Sequence, residues 1–183
     1  MISSRHPPLE TMIRQTGTSA AEREVIHFII WEAIPYGYGR KGKNMSKYTD
    51  LAMERRGHFT PDGRPAWNCC QAVVSVFAQD AGYDENACMK AATYFRGGMQ
   101  MGSVCGAVTG SLMAIGLAGV DDPDIPGELF RKIRENHDGL VNCKDLLRVN
   151  AENGGDKKPH CNAMIRECIG YVEEILREKG KLA

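Results

Sequence analysis

The chain has 183 residues, enough for one well-buried core and too few for two comfortable domains. Its 23 Lys and Arg residues equal its 23 Asp and Glu residues in number, so no basic excess supports a general role in nucleic-acid binding. The N-terminal sequence lacks the basic stretch, apolar run and small-residue cleavage site of a secretory signal, and we therefore expect a cytoplasmic protein.

Residues 1–67 are expected to form an N-terminal extension, and residues 68–183 a helical domain with four functional cysteines. A capping box at Ser19 to Glu22 precedes an apolar segment that predicts one helix ending before Pro35. The basic, glycine-rich loop at residues 36–44 lacks the Gly-Lys-Ser/Thr ending of a phosphate-binding loop, so we interpret it as a solvated turn. A short helix is expected at residues 46–55.

The rest of the chain has apolar residues at helical spacing and no alternating strand pattern of useful length. A helix is expected from Asn68 towards Gly82, with Asp84 capping the next one. Further helices are expected at about residues 103–117, 127–139, 141–150 and 160–180. The predicted fold is all-α, a single-domain bundle of about six to eight helices of unequal length.

The segment from Gly97 to Val120 contains no charged residue. It is rich in glycine and includes polar residues, so we expect a helix buried in a soluble bundle and no membrane insertion. Small residues recur every four positions there, at Gly102, Gly106, Gly110, Ala114 and Ala118. This stripe allows another backbone to approach closely, either within the chain or at the interface of the homodimer that we expect.

Seven cysteines are many for a cytoplasmic protein, in which a disulfide framework is not expected. We interpret Cys70, Cys88 and Cys168 as structural, because free cysteine often behaves as a small buried apolar residue. Cys105 is predicted in the first turn of a helix, where free N–H groups and the helix dipole lower the pKa of a thiol. Cys161, which is expected to open the last helix, follows two lysines and a histidine. The chain contains no Cys-x-x-Cys pair of a zinc ribbon or a thioredoxin-like protein.

The element Cys105-Gly106-Ala107-Val108-Thr109-Gly110, with cysteines before and after it, resembles the C_GCAxxG_C_C family of redox-active proteins. The resemblance extends from Asn68 to about Glu178. It implies that the four functional cysteines are Cys69, Cys105, Cys143 and Cys161. The chain departs from the pattern at Cys70, which is an alternative to Cys69 as the first ligand. It also departs at Arg96, whose charge is expected near Cys105.

The resemblance implies a redox function, and the residues leave three chemistries open. In the first, the four thiolates, supported by Gly106 and Gly110, hold a two-iron or four-iron iron–sulfur cluster in an electron carrier or redox sensor. In the second, Cys105 and a resolving cysteine exchange thiols and a disulfide. The third is a structural zinc site. We predict no catalytic residue, and expect a separate redox partner protein, since a carrier or sensor is favoured over a stand-alone enzyme.

Overall fold

The computed structural model describes residues 46–182, which fall in one compact unit. Within this range the chain forms seven α-helices and no β-strand, which confirms the all-α class and the expected number of helices. The helices are α1 (Lys47–Gly57), α2 (Cys69–Ala78), α3 (Glu85–Ala91), α4 (Gly106–Leu117), α5 (Ile125–Asn136), α6 (Cys143–Glu152) and α7 (Lys157–Glu178). The helix predicted before Pro35 and the loop at residues 36–44 lie outside the described residues.

The first three helices begin at polar side chains that cap free backbone N–H groups. Ser46 accepts a hydrogen bond from the backbone of Thr49, and Asp84 accepts one from Ala87. Asn68 and Gln71 form a complete capping box, in which each side chain accepts a hydrogen bond of 3.0 Å from the other residue's backbone N–H. This motif fixes the start of α2, and with it the position of Cys69.

Helices α2 and α4 form the centre of the bundle. Helix α2 packs against α1, α3, α4 and α7, and α4 also packs against α7. The largest fully buried side chains come from α2, α4, α5 and α7, among them Phe77, Ile115, Leu129, Ile133, Ile165 and Ile169. A smaller apolar cluster on another side of α2 contains Cys70, Val74, Ala78, Cys88 and Ala92. Helix α2 therefore has one face in each of two cores.

Helix α1 shares the main core although it precedes the expected domain boundary after residue 67. Its Tyr48 ring stacks on Phe77 with a centroid distance of 4.3 Å, and Ala52 is completely buried. These contacts hold α1 against α2 and α7. Helix α1 is thus in a position to contribute side chains to a site built mainly from later residues.

The small-residue stripe packs α4 against α2 within the chain. A Cβ atom at Gly110 would lie 2.7 Å from the carbonyl oxygen of Cys70, closer than such atoms approach in proteins. The stripe therefore serves the first of the two roles considered for it, and it does not argue for a dimer. Each helix at residues 46–182 is too short or too polar to cross a membrane.

Candidate functional site

The four cysteines singled out by the sequence lie at the beginnings of four different helices. Cys69 and Cys143 are the first residues of α2 and α6, and Cys105 is the N-cap of α4. Cys161 lies one turn inside α7, so the prediction that it opens the last helix is wrong. The helix begins earlier because Asp156 takes the N-cap position and Pro159 is tolerated in a first turn.

Two backbone hydrogen bonds bring Cys105 and Cys143 to neighbouring positions. The N–H of Cys105 donates to the carbonyl oxygen of Val141 at 2.9 Å, and the N–H of Cys143 donates to that of Ser103 at 2.7 Å. This pairing is an isolated antiparallel bridge between Val104 and Asn142. The starts of α4 and α6 are therefore tied together directly through the backbone.

A left-handed turn at residues 98–102 leads the chain into this bridge. Met99 and Gln100 have φ values of 56° and 60°, which are uncommon for residues other than glycine. The turn is closed by Ser103, whose N–H and hydroxyl donate to the carbonyl oxygen of Gly98 at 3.1 and 2.9 Å. Helix α4 consequently begins three residues later than predicted from the sequence.

Gly106 explains how the thiol of Cys69 reaches the start of α4. A Cβ atom at this position would overlap the sulfur of Cys69 and lie 2.8 Å from the carbonyl oxygen of Phe95. Any side chain at residue 106 would therefore displace the sulfur or the backbone. The glycine after Cys105 provides the space in which the thiols of two helices meet.

The four thiols interact electrostatically with one another. Burial raises the pKa of Cys105 far above its usual value, and Cys69, Cys143 and Cys161 raise it further. Burial, Cys69 and Cys143 likewise raise the pKa of Cys161 to about 11, although Arg56 and Lys157 counteract them. The prediction of a lowered pKa at Cys105 is therefore wrong, since the loss of hydration at a buried thiol outweighs the helix dipole. These four thiols, which influence one another's ionisation, are called here the thiol cluster.

Arg56 is a buried cation that acts on the thiol cluster, and the sequence analysis did not identify it. The side chain of Arg96 is exposed, but its Cα would lie 3.5 Å from a Cβ atom at Gly106, so its charge near Cys105 stays a prediction. Arg56 is buried, and its electrostatic partners are Cys161 and Cys69. The sequence carried no signal for it, because Arg56 belongs to an ordinary Arg-Arg pair near the end of a short helix.

The remaining three cysteines have apolar surroundings. Cys70 is completely buried, and its sulfur lies 3.6 Å from the sulfur of Met113. Cys88 belongs to the same small cluster. Cys168 lies in the main core, where burial raises its pKa and its thiol interacts with Cys105. Helix α2 therefore presents Cys69, and not Cys70, to the thiol cluster.

The thiol cluster is not a finished metal site. All seven cysteines are free thiols, and none forms a disulfide. Within residues 46–182, no three Cys, His, Asp or Glu side chains are arranged to ligate one metal ion. The thiols are near enough to influence each other's ionisation, but they would have to move to bind a common metal ion.

A protein-family model matches residues 67–175, and its description is "Putative redox-active protein (C_GCAxxG_C_C)". The chain belongs to this family. The matched range contains the whole thiol cluster and begins after α1, so Arg56 lies outside it. No curated protein and no solved structure matches the chain. The family assigns a redox role to the part of the chain that carries the cysteines.

Proposed function

We propose that the thiol cluster binds a two-iron or four-iron iron–sulfur cluster and that the protein is an electron carrier or redox sensor. The observation that carries this proposal is the convergence of four free thiols from four helices. Four cysteine thiolates are the usual ligand set for such clusters. The redox description of the family supports the same chemistry.

The residues around the thiols suit a cofactor with negative charge. Cys69, Cys105 and Cys143 lie at helix N-termini, where the helix dipoles favour anions. Arg56 and Lys157 add positive charge beside Cys161. The bound cluster would supply one-electron transfer, and the protein would set its potential through these dipoles and charges.

Loading the site requires the thiols to lose protons and move closer together. Burial raises the pKa of Cys105, Cys143 and Cys161, so the metal-free thiols are protonated at neutral pH. Metal binding releases such protons, and the binding energy can draw ligands from separate helices into place. We therefore infer that formation of the cofactor and closure of the thiol cluster are coupled.

Anaerobic purification followed by iron, sulfide and zinc analysis tests this proposal. The expected result is a brown protein that contains iron and acid-labile sulfide. A colourless protein without iron after anaerobic reconstitution with iron and sulfide would contradict it. Stoichiometric zinc without sulfide would instead support the structural zinc site.

Thiol–disulfide exchange is the second candidate function, because no finished metal site is formed by the described residues. We propose Cys69 as the resolving residue for Cys105, since its sulfur packs against Gly106, the residue after Cys105. Two thiols would form one disulfide and pass two electrons and two protons to an oxidising partner protein. A colourless protein that loses two thiols per chain on mild oxidation would support this function.

We further propose a cytoplasmic homodimer that exchanges electrons with a separate partner protein. The seven free thiols are typical of a reducing compartment. Tyr94 and Met101 are 74% and 75% exposed, and we propose that they contribute to the contact between subunits. The mass of the loaded protein in solution tests this assembly, and a monomer at micromolar concentration would contradict it.

A further inference from the structure

Arg56 is a buried charge with no acidic partner among the described residues. Its side chain is 6% exposed. Its Nε donates to Oδ1 of Asn162 at 3.1 Å, and its Nη1 donates to the carbonyl oxygen of Trp67 at 2.7 Å. Both acceptors are neutral, and no Asp or Glu at residues 46–182 pairs with it. A buried guanidinium is unfavourable unless a negative charge compensates it.

The groups near Arg56 that would supply such a charge, once they lose their protons to a bound cluster, are the thiols that follow these hydrogen bonds in sequence. Asn162 directly follows Cys161, and Trp67 lies two residues before Cys69. Burial lowers the pKa of Arg56, and the interactions that counteract burial come from Cys161 and Cys69. Arg56 is therefore fixed to the backbone and side chains that position two of the four thiols.

Arg55, the preceding residue, lies on another side of α1 and pairs with an acidic residue. Its guanidinium donates to Glu85 at 2.8 Å and to the hydroxyl of Ser75 at 2.6 Å. Two adjacent arginines on one helix thus have different roles. Arg55 forms an ordinary ion pair, and the electrostatic partners of Arg56 within residues 46–182 are the thiols of Cys161 and Cys69.

We propose that Arg56 is the counter-charge of the thiol cluster, and that it favours the reduced, more negative state of the site. This inference rests on the proposed redox function and extends it to a residue outside the matched family range. Arg56 acts as a positioning and tuning residue, since it also links the residue after Cys161 to the segment before Cys69.

The effect depends on how reduction changes the charge of the site. Reduction of an iron–sulfur cluster adds an electron and makes the site more negative, so a nearby fixed cation stabilises the reduced product. Reduction of a disulfide at neutral pH takes up two electrons and two protons and yields uncharged thiols, because burial raises the pKa of Cys161 to about 11, so Arg56 is not expected to shift that equilibrium at neutral pH. Lys157 acts on Cys143 and Cys161 as well, but its side chain is exposed and water screens its charge.

The midpoint reduction potential of the full-length protein tests the proposal with three variants: Arg56→Gln, Arg56→Lys and the control Arg55→Gln. A coloured protein is titrated by spectroelectrochemistry, and a colourless one by thiol counting in glutathione redox buffers. At neutral pH we expect Arg56→Gln to shift the reduction of an iron–sulfur cluster about tenfold towards the oxidised state, or about 59 mV for one electron, and to leave a disulfide equilibrium unchanged. Arg56→Lys keeps the charge and is expected within about threefold of the wild type.

Arg55→Gln should lower thermal stability without changing the potential, because its partners lie away from the thiols. Equal potentials for wild type and Arg56→Gln in the coloured protein would overturn the inference and leave the redox function intact. A colourless protein with only a disulfide transition would overturn the inference and leave thiol–disulfide exchange as the function. If Arg56→Gln does not fold, Arg56→Lys decides alone, since a tenfold shift in that folded variant would exclude charge as the cause. A wild-type protein with no redox transition in either titration would overturn the proposed function and this inference with it.

Discussion

Cys69 and Cys70 are neighbours on one helix, yet they belong to different parts of the molecule. Successive residues of an α-helix point about 100° apart, so adjacent side chains face different neighbours. The sulfur of Cys69 packs at Gly106 beside the other functional thiols. Cys70 points into the small apolar cluster against Met113. The two residues are of the same type, and the direction in which each side chain leaves the helix decides whether it is a candidate ligand or a packing residue.

The two environments differ in what charge they tolerate. Around the thiol cluster, helix N-termini, Arg56 and Lys157 all favour negative charge. Around Cys70 the neighbours are mainly apolar, and burial raises the pKa of its thiol to about 12. Burial disfavours a lone thiolate on both sides of α2, and the first side differs in having helix N-termini and cations that can compensate a negative cofactor. Substitutions on the two sides should therefore have separable effects.

The largest contrast is expected between Cys105→Ser and Cys88→Ser. Serine keeps a small polar group but removes the soft sulfur ligand. Cys105→Ser should lose most of the iron and sulfide, measured by metal analysis and absorbance, whereas Cys88→Ser should keep both. In thiol–disulfide chemistry, only Cys105→Ser should abolish the loss of thiols on mild oxidation. Wild-type metal content, spectrum and thiol chemistry in Cys105→Ser would make Cys105 an ordinary packed residue.

The second contrast is between substitutions of the two adjacent cysteines, Cys69 and Cys70. Cys69→Ser should lose most of the cofactor at little cost in folding, because Cys69 is partly exposed. Cys70→Ser should keep the cofactor but lower the free energy of unfolding by about 1–3 kcal/mol, since it places a hydroxyl in an apolar cluster. Metal analysis and urea unfolding of both variants measure these effects. The reverse pattern would identify Cys70 as the first ligand.

The glycine that makes room for Cys69 provides a third test. Gly106→Ala should destabilise the protein by about 1–3 kcal/mol, because the new methyl group would overlap the sulfur of Cys69. It should also weaken cofactor retention. Gly116→Ala is the matched control in the same helix, where a Cβ atom meets nothing within 4 Å.

At Gly116 the substitution should stabilise the helix by up to about 1 kcal/mol. Chemical unfolding of the two variants measures the difference. If Gly106→Ala is as stable and as well loaded as Gly116→Ala, the close approach of Cys69 to the start of α4 is not required.

The fold was predictable because its determinants are local. Asn68 and Asp84 are typical N-cap residues and indicate helix starts. The apolar residues of the last helix recur with helical spacing over more than 20 residues. The turn at residues 98–102 was not predictable, since Met99 and Gln100 rarely adopt left-handed conformations. Local signals predict helices well and miss a turn in which residues other than glycine adopt left-handed conformations.

The candidate site was predictable in its cysteines but not in its surroundings. The spacing and the family resemblance identified Cys69, Cys105, Cys143 and Cys161, whose roles as ligands stay a prediction. The charge near them was assigned to Arg96 because that residue is close in sequence to Cys105. The buried cation is Arg56, which reaches the thiols through the packing of α1. Such a partner depends on tertiary contacts that no local pattern encodes.

The smallest expected effect is on the pH dependence of the free energy of unfolding. It tests the apolar cluster around Cys70 in the metal-free protein. Burial raises the pKa of Cys70 from 9.0 to about 12. Below about pH 9 the thiol is protonated in both the folded and the unfolded chain, and its contribution to stability is constant. Above pH 9 the unfolded chain loses this proton and the folded chain keeps it, so the free energy of unfolding falls as pH rises.

Cys70→Val removes this titrating group and conserves an apolar side chain in the cluster. Urea unfolding with a chelator and a reductant, at pH 8, 9, 10 and about 11, measures the free energy of unfolding for both proteins. The wild type should lose up to about 1.4 kcal/mol per pH unit more than Cys70→Val above pH 9. Taking the difference between the two proteins cancels the titration of lysines, tyrosines and the other thiols. Parallel curves for the two proteins would mean that Cys70 ionises as readily in the folded chain as in the unfolded one, and that the apolar cluster around it does not disfavour a thiolate.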